Sequence, residues 1–182
     1  MDAPPWVAST GVGAGPYEPM SAVRSARLRA WHDDASAQLH ALGAHVTGVD
    51  INPHPVAAAE ANARRNRVAD RTTFVEGDLF DPVDGVFDLV ISDPPFRWFR
   101  PADLLEVAIT DEGYGTLRRF MTRIHRWLAP DGRVLLFFGS SGDLTYLHQL
   151  IDGSALSATT LASRDLHKDD LDVTYHTFRL TR

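Results

Sequence analysis

Apolar and polar positions follow one another along this chain in blocks, and from residue 44 onward the blocks change period in turn. AHVTGVD at 44–50 is a short apolar run ending on Asp50 and predicts a buried strand. Asn52 is placed to cap the helix that follows. Pro53 stands in its first turn, where a missing N–H costs nothing. That segment, PHPVAAAEANARRN, is rich in Ala, carries Glu60 and Arg64 one turn apart, and ends near Asn66. TTFVEGD at 72–78 predicts a second strand that also ends on an acid, and FDLVIS at 87–92 a third.

In GTLRRFMTRIHRWL, 115–128, the apolar positions Leu117, Phe120, Met121, Ile124 and Leu128 recur at helical spacing, and APDG stops the pattern. GRVLLFFG at 132–139 is a fourth, fully apolar strand. A short helix is expected from Asp143 to Leu150. ALSATTLASRDL and DVTYHTFRLTR then predict two strands, an antiparallel pair at one sheet edge.

Strands alternating with helices, the strands apolar on both faces, imply an α/β fold: a doubly wound, mostly parallel sheet covered on both sides. Ligands of such sheets lie beyond the carboxyl ends of the strands. Asp50, Asp78 and Asp93 each stand where a predicted strand stops, so either one rim carries a site or these are ordinary strand-end turn residues. The third case is unlike the others. ISDPPFRWF at 91–99 carries the strand straight into Asp93, Pro94, Pro95 and Phe96, where a plain turn needs only a Gly or an Asn.

Composition bounds the rest. The chain has 182 residues, enough for one domain with a sizeable core, and its 44% hydrophobic and 23% charged residues are ordinary globular values. A net charge of −6 argues against gripping nucleic acid mainly through phosphates, yet leaves room for a single exposed base as substrate. Without Cys there are no disulfides and no thiolate metal sites. The N-terminus lacks a signal-peptide pattern and VLLFF at 134–138 is too short to span a bilayer, so a soluble, cytoplasmic, single-domain chain over residues 1–182 is expected. Residues 1–34 form its atypical segment.

VTGVDINP, EGDLF, FDLVISDPPF and LAPDGRVLLFF resemble, in this order, the successive motifs of the class I S-adenosylmethionine-dependent methyltransferases. The resemblance covers roughly residues 42–140 and implies a Rossmann-like methyltransferase sheet with an antiparallel C-terminal strand pair. Asp-Pro-Pro-Phe is similar to the signature of the branch that methylates planar nitrogens, namely the exocyclic amines of adenine and guanine and the glutamine side-chain amide. The acceptor would thus be a protein or a nucleic acid, with S-adenosyl-L-methionine as cofactor and with neither a metal nor a membrane required.

Carried onto this sequence, the resemblance makes Asp50 the acceptor for the cofactor's ribose hydroxyls and Ile51 a surface for its adenine. Asp78 would accept from the adenine amine, with Leu79 lining that pocket. An amide or aryl amine is a poor nucleophile because its lone pair is delocalised. Asp93 and the Pro94 carbonyl would accept hydrogen bonds from the NH₂ group, Pro95 would hold the backbone, and Phe96 would stack on the flat acceptor. A hydrogen bond to a charged group is worth roughly 1.5–3 kcal/mol. Made mainly in the transition state, it corresponds to about ten- to hundredfold in rate.

WVASTGVGAG at 6–15 resembles the family's first strand and glycine-rich loop, with Gly11, Gly13 and Gly15 against the cofactor's methionine end. It departs from the pattern in carrying Ser9 where an acid is usual, and Gly15 lies 35 positions before Asp50. The related dinucleotide fold needs only about 20. Either the first helix is delayed and runs from Ser21 to Leu42, or the helix is only ASAQLHAL at 35–42.

Within the family, DINPHPVAAAEANARRN looks closest to the release-factor glutamine methyltransferases, while DPPF also looks like the ribosomal-RNA guanine enzymes. Two other readings compete: a methyltransferase-fold binding module without activity, and a nicotinamide-dependent oxidoreductase. Against the latter, Pro16 occupies the place of the third glycine in its fingerprint. Trp98 and Phe99 are expected either to line an acceptor pocket or to pack as core.

Overall fold

The computed structural model describes residues 24–27, 44–100, 110–168 and 171–182. Among these residues seven strands form one sheet in the order β3-β2-β1-β4-β5-β7-β6. The strands are β1 (Arg24–Arg27), β2 (His45–Asp50), β3 (Thr72–Glu76), β4 (Phe87–Ser92), β5 (Leu128–Gly139), β6 (Ser157–Lys168) and β7 (Leu171–Thr181). The helices among the described residues are α1 (Pro53–Arg65), α2 (Gly115–Arg123) and α3 (Leu144–Asp152), with 3₁₀ turns at Glu112–Tyr114 and Ile124–Arg126. β3, β2, β1, β4 and β5 pair in parallel, and β7 runs antiparallel to both β5 and β6. This is the expected doubly wound sheet with its antiparallel C-terminal pair. Strand order reverses beside β1, next to the end of β4 that carries Asp93.

Most elements form where the pattern places them, for local reasons. Asn52 is extended (φ −96°, ψ 122°), and its side chain accepts from the His54 N–H at 3.0 Å, which starts α1 with Pro53 at its head. Asp143 starts α3 in the same way by accepting from the Tyr146 N–H at 2.8 Å. β4 and β5 bury Phe87, Leu89, Val90, Val134, Leu136 and Phe138. α2 supplies Leu117, Phe120 and Met121, and α3 supplies Leu147 and Ile151, to the same core.

Two expectations are corrected. The first described strand, Arg24–Arg27, follows Gly11, Gly13 and Gly15 and falls inside the stretch expected to be helical from Ser21. β2 and β4 both present open hydrogen-bonding edges to the gap between them. A short segment pairing with His45–Gly48 on one side and Leu89–Ile91 on the other satisfies both, which outweighs the weak strand propensity of Arg-Ser-Ala-Arg. The three glycines, and the alternative helix at 35–42, lie outside the described residues.

The second correction concerns α2, which ends at Arg123 instead of reaching Leu128. The Trp127 carbonyl accepts from the Phe87 N–H at 2.7 Å, and Leu128 pairs with Phe87, so the ladder of β4 claims the residues that the helical pattern would use. No helix among the described residues is long and apolar enough to cross a membrane.

Candidate functional site

The carboxyl ends of β2, β3 and β4 lie along one edge of the sheet. At β2, Asp50 is half-buried and its Oδ1 accepts from the Asn52 N–H at 2.9 Å, which orients the carboxylate over the start of α1. The Asp50 carbonyl accepts from the Gly77 N–H at 2.9 Å and ties this end to the end of β3. Ile51, between Asp50 and the helix cap, is 71% exposed. An apolar side chain held out of the core beside a fixed carboxylate is a surface suited to a ligand with a flat apolar part and hydroxyls.

Beyond β3 the chain makes a tight turn in which Leu79 takes a left-handed conformation, φ 53°. A non-glycine residue there costs on the order of 1–3 kcal/mol and persists only where its surroundings impose it. They do so here. Phe80 is fully buried, stacked on Trp127 with ring centroids 4.8 Å apart and on Phe120 at 5.7 Å. On the outside of the turn, Asp78 pairs with Arg119 and Asp81 with Arg123, from successive turns of α2. The guanidinium of Arg119 reaches both carboxylate oxygens of Asp78, with Nη2 3.4 Å from Oδ1, and that hydrogen bond raises the already high pKa of the arginine.

β4 delivers Asp93 to the surface while Ser92 and Pro94 are buried on either side of it. Phe96 is half-buried and packs on Phe138, with centroids 5.7 Å apart, and edge-on to Tyr175 at 6.1 Å. Room for it comes from β5 and the turn after it. A Cβ on Gly139 would lie 3.1 Å from the Phe96 ring, and one on Gly142 would lie 2.4 Å from the Phe96 carbonyl oxygen.

That carbonyl accepts from the Tyr114 hydroxyl at 2.9 Å, and the same hydroxyl accepts from the Asp143 N–H at 2.7 Å. Tyr114 is buried and stacks on Tyr146, and burial pushes its phenol above its usual pKa. The following residues are pinned as well. The Arg97 carbonyl accepts from Asp111 and the Trp98 carbonyl from Gly113, while the buried Asp111 carboxylate accepts from the N–H groups of Thr116 and Leu117 at the start of α2. Trp98 is 58% and Phe99 39% exposed, so both are presented outward and neither is core.

Asp50, Ile51, Asp78, Leu79, Asp93, Pro94, Pro95 and Phe96 therefore all stand at the ends of adjacent or near-adjacent strands on one rim. Sequence reasoning missed Asp111, Tyr114, Arg119, Gly139, Gly142 and Tyr175, which shape the same rim. EGYGT and GSSGD were usable signals, since a tyrosine between glycines and a glycine pair flanking a strand end mark places where backbones approach closely. Arg119 gave none, because its partner is 41 positions away.

The profile of a family described as "Methyltransferase domain" matches residues 33–136, more than half of the chain. The chain belongs to the S-adenosylmethionine-dependent methyltransferases. The release factor glutamine methyltransferase of Haemophilus influenzae is 32% identical over 106 residues, 52% of this chain and 35% of that protein. The ribosomal RNA small subunit methyltransferase C of Chromohalobacter salexigens is 32% identical over 100 residues, 55% of this chain and 26% of that protein. This chain's match thus spans about a third or less of these curated relatives.

Among solved structures, a glycopeptide N-methyltransferase in complex with S-adenosylmethionine superposes with a TM-score of 0.60 at 15% identity. The match covers 92% of this chain and 89% of that one, a likeness of fold. For this methyltransferase domain the cofactor is S-adenosylmethionine, and the rim fits its nucleoside: a fixed carboxylate at Asp50, exposed apolar surface at Ile51, and a second carboxylate at Asp78 in the turn where Leu79 is left-handed. Gly11, Gly13 and Gly15, expected at its methionine end, lie outside the described residues.

Proposed function

We propose that this domain transfers a methyl group to a planar nitrogen, the side-chain amide of glutamine in a protein. The observation that carries the proposal is the seating of Asp93-Pro94-Pro95-Phe96. The segment leaves β4 beside the point where strand order reverses, with Asp93 on the surface and Phe96 wedged against Phe138 and Tyr175. Bound S-adenosylmethionine supplies an electrophilic sulfonium methyl. The chain's own task is then to orient the acceptor nitrogen and to hold its hydrogens while its lone pair is freed.

Asp93 accepts from one N–H as an ionised carboxylate, and the Pro94 carbonyl accepts from the other. Phe96 presents a ring whose position is fixed from behind, so the acceptor plane is set before binding and little ordering is left to the chemical step. Asp50 and Asp78 hold the cofactor's ribose and adenine amine. Glutamine is favoured over a nucleobase by the relatives named for glutamine methylation. The second reading, an exocyclic amine of RNA, is favoured by the ribosomal RNA relative and by the outward Trp98 and Phe99, whose rings can stack on neighbouring bases.

The test has two stages. S-adenosylhomocysteine is titrated calorimetrically into the chain and into Asp50→Ala, with micromolar binding expected in the first and a loss of at least about tenfold in the second. Tritiated S-adenosylmethionine is then offered with a Gln-containing peptide, with its Glu counterpart, and with single-stranded RNA. Label in the Gln peptide alone, abolished by Asp93→Ala, supports the proposal; label in RNA transfers it to the second reading. Cofactor binding without transfer to either acceptor refutes both and leaves a binding module.

A further inference from the structure

We infer that Arg119 is a positioning residue for the adenine end of the cofactor and sets the selectivity of that end for an amino-purine. The inference rests on the proposed role of Asp78 and deepens it. Asp78 stands on a short turn in the half-exposed rim, and a carboxylate there is free to rotate unless something fixes it. Arg119 fixes it. Its guanidinium spans both oxygens from the first turns of α2, and Nη2 also lies 3.4 Å from the Thr116 hydroxyl. Its helix is in turn fixed at its start by Asp111, whose two oxygens hold the Thr116 and Leu117 N–H groups.

The arrangement leaves Asp78 able to work. An ionised carboxylate offers about four acceptor positions. A guanidinium fork takes one on each oxygen, so lone pairs remain for an incoming amine. The side chain of Asp78 is still 33% exposed, so those positions can be reached. The arginine holds the carboxylate in one plane, and a carboxylate so held rewards an exocyclic N–H and repels a carbonyl oxygen in the same place. The site therefore discriminates adenine from hypoxanthine by the orientation of Asp78, which Arg119 imposes.

The next rung on the same helix provides a control. Arg123 pairs with Asp81 and lies over the Trp127 ring at 5.3 Å, one turn from the rim. It anchors the same turn but reaches a different carboxylate.

The experiment compares two probes, S-adenosylhomocysteine and S-inosylhomocysteine, by calorimetry against the full chain, Arg119→Met, Arg119→Lys and Arg123→Met. In the unaltered chain the adenine probe is expected to bind at least about tenfold more tightly, the effect of one hydrogen bond to a charged group exchanged for a repulsion. Arg119→Met is expected to bring that ratio to about two, and Arg119→Lys, which keeps the charge without the fork, to an intermediate value. Arg123→Met should leave the ratio unchanged.

An unchanged ratio in Arg119→Met overturns the inference while leaving the cofactor assignment intact. Failure of the unaltered chain to bind either probe overturns both. Equal loss of the ratio in Arg119→Met and Arg123→Met also overturns it, because the effect would then come from loosening the turn. Should Arg119→Met not fold by circular dichroism, Arg119→Lys decides, and a ratio equal to that of the unaltered chain counts against the inference.

Discussion

Replacing Tyr114 by phenylalanine removes one oxygen and tests how the Phe96 segment is held. The hydroxyl joins three elements: it donates to the Phe96 carbonyl at 2.9 Å and accepts from the N–H that opens α3 at 2.7 Å. The ring keeps its stack on Tyr146, so packing is conserved and only polar contacts change. Each lost neutral hydrogen bond costs about 1 kcal/mol, and a backbone group left without a partner in a half-buried place costs more. A destabilisation of about 2 kcal/mol is expected, and in a chain of this size that lowers Tm by about 4–8 °C.

Urea denaturation provides the measurement, with the midpoint shifted and the slope unchanged. The pH dependence provides a second readout. Burial raises the folded-state pKa of Tyr114 above the ordinary value of about 10. Its contribution is therefore complete below that pH and disappears as pH rises through the folded value. The unaltered chain should lose its advantage over Tyr114→Phe on the alkaline side only. A variant within about 0.5 kcal/mol of the unaltered chain at neutral pH, with a parallel alkaline limb, would refute the bridging role.

Other substitutions probe the same rim. Gly142→Ala drives a Cβ to 2.4 Å from the Phe96 carbonyl oxygen, so a loss of about 1–3 kcal/mol is expected in urea titrations. Gly115→Ala is the opposite case. Its φ of −60° and ψ of −42° are helical and the nearest atom to a new Cβ is 3.9 Å away, so thermal melts should show a gain of about 0.4–1 kcal/mol. Asp111→Ala removes the acceptor for two N–H groups at the start of α2 and should cost at least about 1–2 kcal/mol, with Asp111→Asn recovering part of it. Phe80→Ala empties the stack between Phe120 and Trp127 and is expected to cost about 3–5 kcal/mol. Because that stack imposes the turn at Leu79, affinity for S-adenosylhomocysteine should fall in the same variant.

What could be read in advance was what the chain settles locally. β4 and α1 form at or within a residue of their predicted limits because an apolar run and a capped, Ala-rich segment need no distant partner to be recognisable. The three strand-end acids could be read for the same reason, since a run of apolar residues stopping on a carboxylate is a local event. β1 was illegible because Arg-Ser-Ala-Arg becomes a strand only when β2 and β4 stand on both sides of it. The end of α2 was misjudged because Leu128 satisfies a helical repeat and a strand ladder equally well, and the ladder of Phe87 decides. Tyr114 and Arg119 could not be assigned because their partners, Phe96, Asp143 and Asp78, come from elsewhere in the chain.

β7 has a bearing on how the molecule is made. It follows β6 in chain order, yet it lies inside the sheet, between β5 and β6. During synthesis β5 leaves the ribosome with residues 134–139 unpaired on that side, and the strand that completes them, 175–180, arrives about forty residues later. At translation speeds of roughly 5–20 residues per second the open edge, which carries Val-Leu-Leu-Phe-Phe, persists for seconds. An apolar edge of that kind is a template for pairing with another chain. Nascent chains arrested before residue 171 should therefore engage chaperones or aggregate, and emergence of β7 is the event that ends that exposure.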